Sequence, residues 1–130
     1  SGQLKVAPEH SQDNVLAWMG KPQHAALLEF KRQFDELSQE AGLRQYLTYY
    51  LIAAHPGCTE ADMRALKAFA SRELHLSPEQ VQIFTPLPST YSALMYYTET
   101  DPFTGEKLFV EKDVGKKEKQ KKIVVEKTTN

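Results

Sequence analysis

The sequence predicts an α/β protein built on a small parallel sheet. Strand-like and helix-like segments alternate along residues 4–85. One strand-like segment, YLTYYLIAA at 46–54, is apolar almost throughout, which suits a strand buried on both faces, as parallel sheets require. The two longer helix-like segments carry their apolar residues at helical spacing. Strand, helix, strand, helix, strand in that order implies parallel pairing through right-handed crossovers.

The elements follow in turn. LKVAPEH at 4–10 opens as a strand that ends near Ala7, before Pro8. Ser11 and Asp13 offer caps for a short helix through Met19, with Val15, Leu16, Trp18 and Met19 as its apolar contacts, and Gly20 and Pro22 end it. A long helix is predicted over 23–41. Its stripe is Leu27, Phe30, Phe34, Leu37 and Ala41, and Gly42 stops it. After the strand at 46–54, Thr59-Glu60-Ala61-Asp62 reads as a capping box. Met63, Leu66, Phe69, Ala70 and Leu74 then line one helix face. Ser77-Pro78-Glu79-Gln80 reads as one short helical turn. VQIFT at 81–85 is a third strand, closed by Pro86 and Pro88. From Tyr91 the pattern changes to aromatic contacts, a turn at 101–105 and a strand-like KLFV at 107–110. The tail, 116–130, is basic and then β-branched without a clear period, and is expected to be mostly disordered.

Composition narrows the function. The chain has 130 residues, 25% of them charged, with a net charge of −1, so nothing favours a nucleic-acid partner or a membrane surface. The segment KKEKQKK is interrupted by Glu118 and has no aromatics between its charges, unlike a nucleic-acid arm. No run approaches the roughly 18 apolar residues of a membrane span. With no signal-peptide pattern and one cysteine, the expected location is cytoplasmic. That cysteine, Cys58, excludes an internal disulfide and any cluster held by several cysteines of this chain alone. The chain opens on Ser1 and not Met, so the expectation is that something lies upstream or was removed.

In parallel α/β sheets, ligands bind at the carboxyl ends of the strands. Here those ends read Pro8-Glu9-His10, His55-Pro56-Gly57-Cys58 and Thr85-Pro86-Leu87-Pro88-Ser89. Any one of them is also an ordinary connector; three on one rim raise the case for a site. His55-x-x-Cys58 has the spacing of half a metal site, to be completed by Glu9 or His10. Cys58 beside His55 or His10 is also a candidate nucleophile, although a lone thiol is more often an inert core residue.

Three blocks together resemble a known family. APEH at 7–10, HPGCTEADM at 55–63 and MYYTETDPFTG at 95–105, in this order and embedded in similar flanks over about 4–110, resemble radical SAM (S-adenosylmethionine) proteins of the YgiQ-like type. A broader echo exists with radical SAM methylthiotransferases. The resemblance implies a partial (β/α) barrel of about three parallel strands with crossover helices and a less regular C-terminal segment. It assigns 1–90 to the C-terminal half of the barrel and 91–115 to the start of the family's C-terminal region, leaving 116–130 as the tail. In such proteins a 4Fe-4S cluster held by a CxxxCxxC loop binds SAM and cleaves it to a 5′-deoxyadenosyl radical, which abstracts hydrogen from a substrate. This sequence has no such loop, so no cofactor is expected on this chain alone.

The resemblance places Glu9 and His10 where the ribose or amino-acid part of SAM is contacted, His55 where SAM or substrate approaches, and Phe84 and Thr85 on the last strand near the adenine. No catalytic residue and no metal ligand is expected in this chain. The expected role is therefore a fragment of an iron-sulfur-dependent oxidoreductase that completes the SAM and substrate pocket, its partner being the upstream half of the same polypeptide. The alternative is a stand-alone α/β interaction module. It would use an exposed sheet edge and Tyr91, Tyr96, Tyr97, Phe103 and Phe109, with self-association through that edge.

Overall fold

The computed structural model describes residues 2–126. Three parallel strands, β1 (Gly2–Glu9), β2 (Gln45–Ala53) and β3 (Val81–Ile83), form one sheet in sequential order β1-β2-β3. Helix α1 (Asp13–Met19) follows β1, and α2 (His24–Glu40) crosses to β2. Helix α3 (Glu60–Glu73) crosses to β3, and α4 (Tyr91–Thr98) and α5 (Val114–Val125) complete the chain.

Sequential order matters. Successive crossovers of one hand, in one direction, place their helices on one face. The packing agrees. Tyr49 of β2 meets Phe69, Ala70 and Leu74 of the α3 segment, with Leu27 and Leu28 of α2 against them. Leu51 and Ala53, on the same face of β2, join Met63, Leu66, Val81 and Val124. The opposite face carries Thr48, Tyr50, Ile52 and Gln82, none of them buried. A sheet with helices on one face and a bare, partly polar face on the other is an arc of a (β/α) barrel, not a doubly wound sheet.

Several elements depart from the sequence expectation. Helix α1 is capped by neither Ser11 nor Asp13: Gln12 is its N-cap, without a side-chain bond. The Asp13 carboxylate instead accepts from the His24 backbone N–H (2.8 Å) and Nδ1 (2.9 Å), tying α1 to the start of α2. The α2 stripe is real as a pattern, yet no α2 residue is buried, and Leu37 is 65% exposed. Residues 77–80 form no helical turn. There Pro78 is buried and the Gln80 carbonyl accepts from the Leu51 N–H. The aromatic segment after Pro88 is helical as α4, started by Thr90, whose hydroxyl accepts the Ala93 N–H. KLFV is no strand; one bridge joins Thr100 to Lys107.

The expected disordered tail is a helix over most of its length. Asp113 caps α5 through the Lys116 N–H, and Gln120 and Val124, one turn apart, are buried. Lys, Glu and Gln are strong helix formers, so the polar run is no obstacle to a helix once one stripe finds a core. Residues 127–130 of that tail lie outside the described residues. The capping box of α3 is present: the Thr59 hydroxyl accepts from the Asp62 N–H, and the Asp62 carboxylate accepts from the Thr59 N–H. No helix among the described residues is long and apolar enough to cross a membrane.

Candidate functional site

The turn after β2 sits at the middle of the rim. Ala54 (φ +61°) and Gly57 (φ +88°) bend it, and the Cys58 N–H donates to the His55 carbonyl. Three remote segments hold it. The fully buried Gln120 of α5 accepts the Ala54 N–H (2.8 Å) on Oε1 and donates from Nε2 to the Cys58 carbonyl (3.1 Å). The Phe109 carbonyl accepts the Gly57 N–H at 2.7 Å. Trp18 of α1 lies on Gly57 so closely that any Cβ there would come within 2.4 Å of the indole Cδ1. Glycine is required twice over, by its backbone and by its neighbour.

His55 is 3% exposed and fixed at both ring nitrogens. Nδ1 lies 2.9 Å from the Pro56 carbonyl, which can only accept, so Nδ1 carries the proton. Nε2 is then the acceptor for the Ser92 hydroxyl at 3.0 Å. The ring meets Phe84 edge-on at 5.0 Å. Burial holds His55 below the ordinary histidine range, the Pro56 hydrogen bond opposing it in part.

His10 is also buried. Its Nδ1 accepts the Gln12 N–H (3.1 Å), so the neutral ring carries its proton on Nε2, 3.6 Å from the Cys58 sulfur. Burial lowers its pKa to about 4; Asp62 opposes the shift and His55 adds to it. The Cys58 thiol is pushed up to about 12, by burial first and Asp62 second. It faces the Met63 sulfur at 3.5 Å and the Thr59 carbonyl at 3.7 Å. A protonated Nε2 can neither take the thiol proton nor ligate a metal. The pairing expected from His55-x-x-Cys58 does not form either, since the two side chains turn to different partners. Cys58 is a core thiol. Among the described residues, no group of three His, Cys, Asp or Glu is placed to hold a metal ion.

The remaining candidates also lie at the strand ends. Glu9, in the left-handed region (φ +70°) past the β1 bulge, is half-buried with its carboxylate 3.7 Å from Lys21 Nζ. Phe84 stands between His55 and Tyr96. Thr85 is exposed. Beside this rim, α1 and α4 enclose a cavity of about 780 Å³, walled by Asn14, Trp18, Tyr91, Ser92, Asp101 and Phe103. Its size is that of small-molecule sites in general. The Asn14 amide donates to Asp62 (3.1 Å), and Asp101 accepts the Phe103 N–H (2.8 Å).

The sequence reading missed Ser92, Trp18 and Gln120. A cap signal at Thr90 was available to place Ser92 at the start of a helix. Nothing local marked Gln120, which sits within a lysine run.

No protein-family model matches the chain. It is 65% identical over 130 residues to a UPF0313 protein of Fusobacterium nucleatum, covering 100% of this chain and 23% of that protein. It is 45% identical over 124 residues to a UPF0313 protein of Thermotoga petrophila, covering 95% of this chain and 22% of that one. A UPF0313 protein of Clostridium perfringens matches at 42% over 124 residues, 95% of this chain and 19% of that protein. The chain thus spans 19–23% of the length of these curated relatives.

Proposed function

We propose that this chain is one segment of a longer YgiQ-like radical SAM protein, in which its strand ends complete a pocket for SAM and substrate. The observation that carries this is topological: a sequential parallel sheet with helices on one face only. The cavity between α1 and α4 touches none of Glu9, His10, His55, Phe84 and Thr85, and of these only His10 lines a pocket among the described residues, one shared with Val6, Pro8 and α2. The APEH, HPGCTEADM and MYYTETDPFTG blocks and the greater length of the relatives support it.

The residues present do not fit an iron-sulfur cluster. Cys58 is the only cysteine and is fully buried. Any such cluster belongs to other parts of the longer polypeptide, and no step through it follows from these residues. The chain's own contribution is shape and hydrogen bonding. Glu9, Phe84 and Thr85 offer a carboxylate, a ring and a hydroxyl at the rim. His10, whose ring nitrogens face Gln12 and Cys58, acts by holding the turn after β1, and His55 lies at the turn after β2 with its Nε2 toward Ser92.

The test is made on the longer polypeptide, reconstituted anaerobically with iron and sulfide. The expected result is a reducible cluster whose electron paramagnetic resonance spectrum changes on adding SAM, with Glu9→Ala and Thr85→Ala weakening SAM binding. A coding sequence without a three-cysteine loop, or a polypeptide that takes up no cluster, refutes the reading. The interaction-module alternative rests on β1 and β3, each paired on one side only among the described residues. It predicts concentration-dependent sedimentation of the 130-residue chain.

A further inference from the structure

We propose that Ser92, His55 and the Pro56 carbonyl form an acyl-transfer triad that opens into the cavity between α1 and α4. The roles follow from the hydrogen bonds. The Pro56 carbonyl orients His55 through Nδ1–H at 2.9 Å, leaving the Nε2 lone pair to accept the Ser92 hydroxyl proton at 3.0 Å. A nucleophile, a base within hydrogen-bond reach and a third group fixing the base's tautomer make up the arrangement that activates a serine. The base is shielded from bulk water, whereas Ser92 borders the cavity.

Position in the fold supplies what the side chains do not. Ser92 is the second residue of α4. The first N–H groups of a helix have no intrahelical acceptor. The Ala93 N–H is taken by Thr90. The Tyr91 and Ser92 N–H groups donate to no other group among the described residues, so they are free to meet an oxyanion formed next to Oγ. Trp18, Tyr91 and Phe103 wall the cavity. The substrate class is therefore a small ester with an apolar or aromatic part.

The steps balance without a redox partner. Ser92 Oγ bonds to the ester carbonyl carbon as its proton passes to His55 Nε2. The bond to the alcohol oxygen breaks and that oxygen leaves with the proton. Water then attacks the acyl carbon and gives a proton to His55, which returns it to Oγ as the acid departs. A neutral carbonyl stabilises the imidazolium intermediate less than a carboxylate does, so turnover is slow and covalent labelling is the sharper readout.

The experiment treats the 130-residue chain with an alkyl fluorophosphonate, which phosphonylates an activated serine with loss of fluoride, and locates the adduct by mass spectrometry. The expected result is one adduct, on Ser92, absent from Ser92→Ala and unchanged in Ser71→Ala. In His55→Gln the labelling rate falls at least about 100-fold. Amide NMR establishes that each variant is folded. Ser92→Ala places the best helix former on a helix and should remain so; if His55→Gln does not fold, the position of the adduct and its loss in Ser92→Ala decide. A folded chain that acquires no adduct, adducts spread over several serines, or a folded His55→Gln variant that labels at the original rate overturns the proposal. None of these outcomes depends on SAM or on a cluster.

Discussion

Replacing Gln120 by Met tests how the rim is held together. Methionine keeps the unbranched side chain and its approximate length, so little cavity forms, but both hydrogen-bonding atoms go. The Ala54 N–H and the Cys58 carbonyl then lose their partner, in residues that are 1% and 0% exposed. Each orphaned buried group costs about 1–3 kcal/mol, or about 2–6 kcal/mol for the two. That is a large share of the roughly 5–15 kcal/mol that stabilises a domain. Urea unfolding followed by circular dichroism measures the loss, with the m-value as a check that the unfolding transition keeps its extent. We expect a loss of at least about 2 kcal/mol, together with displaced His55 ring resonances. A change below about 0.5 kcal/mol, the range of ordinary surface substitutions, refutes the idea that this one side chain fixes the β2–α3 turn.

Two further predictions concern the same region. Gly57→Ala combines a positive φ with a Cβ placed 2.4 Å from the Trp18 ring, and should cost more than the roughly 1–2 kcal/mol of left-handed strain alone. Gly20→Ala (φ +72°), which meets nothing within 4 Å, should cost only the strain. The double variant Trp18→Ala/Gly57→Ala should be less destabilised than the sum of its parts, and strict additivity rejects the clash. The second prediction concerns pH. Burial depresses His10 from 6.5 to about 4. The unfolded chain therefore binds the proton first, and stability is complete above pH 6.5 and falls as the pH drops toward 4. The full loss from this group is about 3 kcal/mol, and His55, shifted in the same direction, adds to it. His10→Gln keeps an acceptor for the Gln12 N–H and cannot titrate. Its urea midpoint should fall less between pH 6.5 and 4, and an unchanged slope in the variant would rule out His10 as a source of the acid sensitivity.

The parts of the fold legible in the sequence are those whose signals are local. The capping box at Thr59 and the stripe Met63, Leu66, Phe69, Ala70 and Leu74 describe α3 as it is, because cap and stripe belong to one segment. The β2 run was legible as a strand, but not buried on both faces as expected: only Tyr49, Leu51 and Ala53, on one face, are buried, and its first residues are exposed. The α2 stripe was a true pattern, but Phe30 and Leu37 remain exposed because an amphipathic period says that a face exists, not what covers it. Helix α5 was illegible for the opposite reason: its buried stripe includes a glutamine, and a hydropathy pattern cannot score a polar residue whose value lies in two distant backbone groups. At the site, the strand ends placed Glu9, His10, His55, Phe84 and Thr85 on one rim, while the partners of the two histidines came from the irregular sequence between them and beyond.

The β2–α3 turn explains why that irregular sequence is needed. A turn that reads Ala54-His55-Pro56-Gly57-Cys58 after a strand buries its polar backbone where no neighbouring strand can reach, and each buried N–H and C=O must find an acceptor or donor. Gln120 supplies them from 62 and 66 residues away and the Phe109 carbonyl takes the Gly57 N–H, while the Ser92 hydroxyl, 37 residues on, bonds the His55 ring. These three residues fall on both sides of the boundary near 115 and beyond the one at 90 that the sequence suggests, so the turn, α4 and α5 stand or fall together. Truncating the chain after the third strand would leave β2 and β3 their pairing, yet strip His55 of its hydroxyl partner and the turn of three of its hydrogen bonds. The rim would lose its shape before the sheet lost its strands.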